Sequence, residues 1–126
     1  MEHFQAASNE LNNPKVLVCP ADGGRSKGTN WGYILALNVS FLVGTNADDT
    51  HPQSILTGDR NVTGGTRFTT IADANMANWS QQIHVSQGNI GLGDGSVHQM
   101  NAVRLQQQIR AALEDSADPV ALQLPP

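Results

Sequence analysis

An Asp-Gly pair between two strand-like runs is the feature of this sequence that most restricts its fold. Asp94-Gly95 lies between residues 89–93 and 96–99, and both runs are short and rich in apolar or β-forming residues. Asp-Gly suits the type I′ turn of a two-residue hairpin, whose two central residues need positive φ. Asn101 then stands at a helix N-cap position, and apolar residues recur at helical spacing to about Glu114. The sequence therefore predicts an antiparallel hairpin followed by a short C-terminal helix.

The opening residues are expected to belong to a helix. Phe4, Ala7 and Leu11 recur at spacings of three and four, which places them on one helix face. Pro14 ends the pattern, because proline disfavours helical geometry in the residue before it. The apolar stripe begins almost at the first residue with no capping residue ahead of it. We therefore interpret residues 1–13 as the end of a truncated N-terminal helix.

Further strands are expected in the middle of the chain. Residues 15–19 form a β-branched run, residues 38–44 alternate between apolar and polar, and residues 54–60 read as another strand. Gly64-Gly65 lies at the centre of residues 61–70 and is expected to turn a second hairpin.

The order of elements predicts an α+β fold. A helix, antiparallel strands and a second helix follow one another, and 126 residues suit a single domain over 1–126. Residues 115–126 end in two prolines and are expected to form a flexible tail.

Composition excludes several classes of protein. The formal net charge is −4 and the seven basic residues are scattered, so a surface that follows nucleic-acid phosphates is not expected. No run approaches the roughly 18 apolar residues that a membrane span needs. The single cysteine, Cys19, can form no internal disulfide, and it precedes Pro20 after an apolar run, as a buried thiol would.

Catalytic patterns are weak. No serine lies in a Gly-x-Ser-x-Gly elbow, so no nucleophile with a nearby base can be named. His84 and His98 would become cross-strand neighbours with Asp94 at the turn between them, which leaves a metal-dependent hydrolase as a third hypothesis. The simpler interpretation is that these histidines form hydrogen bonds that orient loops.

Two further groups of residues raise binding hypotheses. Asp48, Asp49 and Asp59 could supply oxygen ligands to calcium, although solvated loop acids explain them more simply. Trp31, Tyr33 and Trp79 could form an exposed patch, and a small periplasmic binding module for a glycan or peptide is the second functional hypothesis.

One spacing connects the chain to a known family. Nine residues separate His84 from Asp94-Gly95, and other short motifs occur in a matching order. These motifs are Val18–Asp22, Asn38–Ser40, Gly58–Asn61, Trp79, and Gly88-Asn89 leading into Asp94–Val97. The similarity that they carry spans about residues 15–99. The ordered set resembles the prepilin-like proteins that carry the processing-associated H-x9-DG region, the pseudopilins of type II secretion and type IV pilus-like systems.

The resemblance implies a structural role rather than an enzyme. Such proteins have a prepilin leader, a long apolar N-terminal helix that anchors them by a single pass, and a small antiparallel sheet packed on that helix at the periplasmic face of the inner membrane. Their subunits stack into a short filament that serves protein transport. A separate prepilin peptidase cleaves the leader and methylates the new N-terminus. This sequence departs from the pattern in having neither leader nor apolar helix.

The resemblance also suggests partners and signature residues. It implies contacts with other pseudopilin subunits, with secretion-system components and with copies of the same chain. His84, Asp94 and Gly95 are the family-signature residues, and we interpret them as a structural clasp: Asp94 can bond backbone N–H groups in an Asx-type turn. Calcium occurs near the sheet loops of some major pseudopilins, but the aspartates here do not align with that motif, so no cofactor or metal ligand is assigned.

Overall fold

A computed structural model describes residues 2–125 and divides the chain into two compact units. Among the described residues, one unit comprises 2–41 with 125, and the other is Leu42–Leu124. That the whole chain forms a single domain over 1–126 stays a prediction. Two separate clusters of buried apolar side chains, one in each unit, are the physical reason for the division.

The N-terminal residues form two short helices rather than one continuous helix. Helix α1 spans Glu2–Ala6 and helix α2 spans Ser8–Leu11. The Ala7 N–H bonds to the carbonyl of Phe4, three residues back, and this tighter step interrupts the α-helical ladder. Asn12 ends the second helix with a φ of 59°. Met1, which the predicted helix included, lies outside the described residues.

Three 3₁₀ turns complete the chain path of the first unit: Pro14–Leu17, Trp31–Tyr33 and Ala36–Asn38. The strand predicted over 15–19 was wrong. Pro14 opens a turn there, and the side chain of Asn13 accepts the Lys15 N–H at 3.0 Å, so the local capping geometry overrides the β-branched composition.

A small core holds the first unit together. Leu17, Ile34 and Val39 are buried, and Phe4 and Leu11 pack against them while remaining partly exposed. The apolar stripe seen in the sequence is therefore used to cover this core.

The second unit contains most of the secondary structure. Its strands are β1 (Phe41–Gly44, which begins at the boundary between the units), β2 (Ile55–Asp59), β3 (Val62–Thr63), β4 (Arg67–Phe68), β5 (Asn78–Trp79), β6 (Gly88–Leu92), β7 (Val97–Met100) and β8 (Val120–Gln123). Its helices are α3 (Ile71–Ala74) and α4 (Ala102–Asp115).

Six of the strands form one antiparallel sheet in the order β4-β8-β1-β2-β6-β7, and β3 pairs with β5 in a second small sheet. The fold is thus α+β, as predicted. Within residues 2–125 no helix combines the length and the apolar character that crossing a bilayer requires.

Helix α4 forms where the sequence predicts it. The side chain of Asn101 accepts the Arg104 N–H at 2.9 Å and so satisfies one of the free donors of the first turn. Leu105, Ile109 and Ala112 are buried in the core of the unit. The apolar residues that recur at helical spacing therefore form the face of α4 that packs in the core.

The hairpin between β6 and β7 is confirmed, but its turn is of a different type. The Gly95 N–H bonds to the Leu92 carbonyl at 3.0 Å, and the Leu92 N–H bonds to the Ser96 carbonyl at 2.9 Å. Of Asp94 and Gly95, only Gly95 has a positive φ, 87°. These features describe a three-residue loop, a type I turn followed by a left-handed glycine, instead of the predicted type I′ turn.

The second predicted hairpin does not form. Gly64 and Gly65 do turn the chain, with φ of 89° and 131°. The strands on either side of them, however, pair elsewhere: β3 with β5 and β4 with β8. The two glycines therefore lead the chain from the small sheet to the large one.

The flexible tail expected over 115–126 was also wrong. Asp115 is the last residue of α4, and β8 then pairs with β1 on one side and β4 on the other. Val120 and Leu122 alternate inward and are buried. Because β8 fills a gap between two strands, its backbone groups are used in the sheet even though a pair of prolines follows.

Candidate functional site

His84, the first residue of the signature, contacts a buried carboxylate at the end of β2. Its Nε2 lies 3.3 Å from Oδ2 of Asp59, which is only 2% exposed. The same oxygen accepts hydrogen bonds from the backbone N–H and the side-chain Nδ2 of Asn89, at 2.7 and 3.1 Å. A buried carboxylate needs such donors, because losing its hydration without them is costly. Asp59 therefore links the loop that carries His84 to the start of β6.

Asn61 fastens the same loop through three carbonyls. Its Nδ2 lies 3.4 Å from the Ser80 oxygen, 3.1 Å from that of Gln82 and 2.9 Å from that of Gln87. The Ser80 N–H in turn donates to the Asn61 carbonyl at 2.8 Å. One buried amide thus joins both ends of the 80–87 loop. We call Asp59, Asn61, His84 and Asn89 the His84 clasp.

The backbone inside this loop is strained. Ile83, Val85 and Ser86 have φ of 64°, 50° and 61°. The left-handed region is disfavoured for any residue with a Cβ and most of all for β-branched ones. Each such residue costs about 1–3 kcal/mol, and it persists only where the surroundings enforce it. The clasp supplies this enforcement, since its bonds reach the loop at residue 80, at residue 82, at His84 and at residue 87.

Two further side-chain bonds hold the outer surface of the loop. Arg60 Nη1 donates to Gln82 Oε1 at 3.2 Å, and Gln99 Nε2 donates to Gln87 Oε1 at 3.0 Å. The loop is therefore fastened to β7 as well as to the residues that follow β2.

Asp94, the second signature residue, closes the β6–β7 turn. Its Oδ1 accepts the Ser96 N–H at 2.9 Å and the Ser96 hydroxyl at 2.5 Å. These bonds, with that of the Ser96 hydroxyl the largest contribution, lower the pKa of Asp94 below its ordinary value. The Asx-type turn inferred from the sequence is present. Gly95 supplies the left-handed residue of the same turn.

Chemically, the clasp and the turn are suited to holding backbone in place. An acid–base pair needs access for a substrate, whereas Asp59 is almost wholly buried. The Ser96 hydroxyl bonds to the Asp94 carboxylate, and the His98 ring nitrogen lies 2.9 Å from the same hydroxyl. Serine therefore lies between aspartate and histidine, whereas a nucleophilic triad needs histidine in the middle.

The ligand set of the hydrolase hypothesis is not assembled. In the part of the chain that the structure describes, the ligand atoms of His84, His98 and Asp94 do not all lie within 4.8 Å of one another. The reason is visible in the geometry: His84 turns to Asp59, while His98 and Asp94 both turn to Ser96. A single metal ion needs all three atoms around one point.

The three aromatic residues do not share an exposed patch. Trp79 is 4% exposed and belongs to the core of the second unit. Tyr33 is largely exposed, and Trp31 donates its indole N–H to the Asn12 carbonyl at 2.7 Å. The glycan- or peptide-binding hypothesis required all three side chains on one surface, so its predicted site is absent from the described residues.

The loop acids behave as turn formers. The Asp48 carboxylate accepts the Thr50 N–H at 2.8 Å and the Thr50 hydroxyl at 2.5 Å, and these contacts lower its pKa. Across residues 2–125, Asp48 and Asp49 belong to no group of three His, Cys, Asp or Glu side chains close enough to hold one ion. Asp59 is engaged in the clasp instead.

Sequence reasoning missed the roles of Asn61 and Asn89. Both lie in motifs that carry the family resemblance, Gly58–Asn61 and Gly88-Asn89. The only signal was this position, since an asparagine in an asparagine-rich chain carries little information by itself. Which carbonyls Asn61 reaches depends on how the loop folds back, and no spacing predicts that.

Comparison with known proteins adds no relative: no family model, curated protein or solved structure matches this chain.

Proposed function

We propose that this chain is the globular part of a pseudopilin-like subunit, a non-catalytic building block of a type II secretion or type IV pilus-like filament. The observation that supports the proposal best is how the signature residues are used. His84 contacts a buried carboxylate that fixes a strained loop, and Asp94 with Gly95 forms the adjacent turn. A signature used in this way maintains a surface of defined shape, which a subunit of a regular assembly requires.

The fold is compatible with this role. A pilin-like head combines an antiparallel sheet with helical segments, and this chain has a six-stranded antiparallel sheet and two short N-terminal helices. In this proposal, α1 and α2 continue from an apolar helix that the full reading frame encodes, and that helix packs on the sheet. The head then lies at the periplasmic face of the inner membrane.

The proposed partners follow from the same role. Other pseudopilin subunits, further copies of this chain and secretion-system components contact the head, and a prepilin peptidase acts on the precursor. Only 14% of the residues are charged, so copies can pack side by side with little repulsion.

The first test concerns processing. The complete reading frame, with a C-terminal tag, is expressed in bacteria with an active or an inactivated prepilin peptidase, and the product is analysed by intact-mass spectrometry. We expect the active peptidase to shorten the product and to add one methyl group at the new N-terminus. A product of identical mass in both strains, or a frame that encodes no apolar segment before α1, would contradict the proposal.

The second test separates a structural signature from a catalytic one. His84→Ala should reduce recovery of the subunit in sheared filaments, together with its resistance to proteolysis, because the strained loop loses a fastening point. His98→Ala is the matched control: it removes an exposed imidazole and leaves the clasp intact, so it should assemble like the wild type. Equal loss in both variants would argue against a structural role specific to His84.

A further inference from the structure

Strand β7 is an uncovered edge of the six-stranded sheet. It is the last strand in the sheet order and pairs with β6 on one side, and within residues 2–125 no strand lies on its other side. Val97 is 70% exposed, and His98 and Gln99 are exposed as well. An edge strand presents a row of backbone donors and acceptors that a further strand can use. The β7 edge is therefore a candidate interaction surface.

The hydrogen-bond pattern identifies which backbone groups of β7 point outward. The Leu92 N–H bonds to the Ser96 carbonyl, and the register of β6 with β7 makes His98 the next residue that bonds to β6. Because the bonding direction alternates along an antiparallel strand, Val97 and Gln99 direct their N–H and C=O groups away from β6. The edge thus offers two donors and two acceptors to a neighbouring strand.

The opposite edge of the sheet is protected against pairing, whereas β7 is not. The edge strand β4 has only two residues, and one of them is the exposed Arg67. Proteins use short strands, charged side chains, prolines and bulges to keep sheet edges from pairing. Strand β7 has four residues, with no Lys, Arg, Asp, Glu or Pro among them, and its register with β6 contains no shift. The features that usually prevent the addition of a strand are therefore missing from β7.

We propose that β7 pairs with β7 of a second copy of this chain, antiparallel and about a two-fold axis. The axis passes beside His98, which then faces its own counterpart, and Val97 of each copy lies opposite Gln99 of the other. All outward backbone groups find a partner in this register, because Val97 and Gln99 exchange both of their hydrogen bonds. Such a contact closes after two copies, whereas a filament grows through head-to-tail contacts, so the pairing goes beyond the filament role.

The charges at the two ends of β7 favour a second copy over a strand of unrelated sequence. Asp94 lies just before β7 and Arg104 lies shortly after it, and both side chains are exposed. Residues 95–103 between them contain no Lys, Arg, Asp or Glu. In an antiparallel pair, the end of one strand that is next to Asp94 lies beside the end of the other that leads to Arg104. Opposite charges are thus brought to the same end of the paired strands, on both sides of the axis.

The first test measures dimerisation of the purified chain by analytical ultracentrifugation. We expect a reversible dimer with a dissociation constant of about 100 µM, because a four-residue strand buries a small area. His98→Lys and His98→Asp should each weaken the dimer about fivefold, since like charges directly opposite one another destabilise a strand pair. An equimolar mixture of these two variants should dimerise more tightly than either alone. Met76→Lys is the control: the Met76 side chain is 67% exposed between α3 and β5, and this variant should dimerise like the wild type.

The second test uses cross-linking to determine the register. Every variant also carries Cys19→Ser, so that it has a single thiol, and circular dichroism verifies that it is folded. His98→Cys should form a disulfide-linked dimer at least about tenfold faster than Met76→Cys, because the Cα atoms of directly opposed residues lie about 4.5–5.5 Å apart, which suits a disulfide. Val97→Cys mixed with Gln99→Cys should cross-link more than either variant by itself, since these two positions face each other only across the axis.

Three results would overturn the proposal. One is a wild-type chain that remains monomeric up to about 1 mM. Another is a dimer that His98→Lys and Met76→Lys weaken equally, or in which His98→Cys cross-links no faster than Met76→Cys, since either outcome places the contact elsewhere. The third is a monomeric chain whose Val97 and Gln99 amides gain protection from hydrogen exchange only when a different filament subunit is added, which would assign the edge to a partner of another sequence.

Discussion

Gly88 packs directly against the six-membered ring of Trp79. A Cβ on Gly88 would overlap the ring carbons Cζ3, Cη2 and Cε3. Trp79 is buried in the short β3–β5 sheet opposite Val62, and Gly88 is the first residue of β6. This contact therefore joins the small sheet to the large one where the 80–87 loop ends. A glycine is required here for space and not for backbone conformation.

Gly88→Ala should destabilise the protein by about 1–3 kcal/mol, because a tightly packed aromatic ring has to move to make room for the new methyl group. Urea unfolding followed by circular dichroism measures the change. Gly23→Ala is the control. No atom lies within 4 Å of the position that the new Cβ would occupy, so the substitution should change the stability of the protein by less than about 0.5 kcal/mol. A Gly88→Ala variant as stable as the wild type would show that Trp79 is not held against β6.

Asn61→Ala should loosen the 80–87 loop as a unit. The substitution removes the amide donor that three backbone carbonyls share, and a lost hydrogen bond costs about 0.5–1.5 kcal/mol. Hydrogen exchange should show faster exchange at the Ser80 and Ser86 amides, which bond to the Asn61 and Ser80 carbonyls. Asn78→Ala, at an exposed asparagine, should leave that protection unchanged. Comparable loss of protection in both variants would contradict the role assigned to the Asn61 amide.

Protonation of Asp94 should weaken the β6–β7 turn, and only at pH values below the ordinary aspartate pKa of 3.8. The bonds from Ser96 lower the pKa of Asp94 in the folded chain below the ordinary value of 3.8. A lowered folded-state pKa contributes stability that is present above the unfolded value and is lost as pH falls through the folded value. Carbon-detected NMR titration of the carboxyl groups should therefore place the Asp94 midpoint below 3.8.

Ser96→Ala should raise the Asp94 midpoint towards the ordinary value, because it removes the largest contribution to the shift. The same variant should not move the midpoint of Asp73, whose pKa is lowered by bonds from Thr69 and Thr70 at the start of α3. An Asp94 midpoint that is unchanged by Ser96→Ala would show that the hydroxyl does not bind the carboxylate in solution.

Leu122→Ala tests whether the C-terminal residues are an integral part of the sheet. Leu122 is buried on β8 between β1 and β4, so the substitution should cost about 2–4 kcal/mol in unfolding free energy. Leu56→Ala, on the exposed side of β2, should cost less than about 1 kcal/mol. If the last residues formed a flexible tail instead, Leu122→Ala would be as mild as Leu56→Ala.

Local patterns predicted the elements whose stability comes from neighbouring residues. Asn101 caps α4 through a bond to the N–H three residues later, and Leu105 and Ile109 repeat at the helical period. Asp94 and Gly95 turn the chain back within a few residues, so the hairpin was predictable even though its turn type was not. In each case the interacting groups are close in sequence.

Patterns failed where distant residues decided the outcome. Gly64-Gly65 predicted a hairpin between the strands on either side of it, but β4 pairs with β8, more than fifty residues further along the chain. The roles of Asn61 and Asn89 in the His84 clasp likewise depend on loops that meet only after folding.

The amino-acid sequence by itself determined the α+β class, the β6–β7 hairpin, the helix α4 and its cap, because periodicity and turn chemistry act over a few residues. The tertiary structure alone decided that β8 enters the sheet between β1 and β4, that His84 reaches Asp59, and that Trp79 is buried while Tyr33 is exposed. These outcomes depend on contacts between residues that are far apart in the sequence and that exclude water only once the chain has folded. Burial and strand pairing are properties of the assembled chain and leave little trace in any short stretch of it.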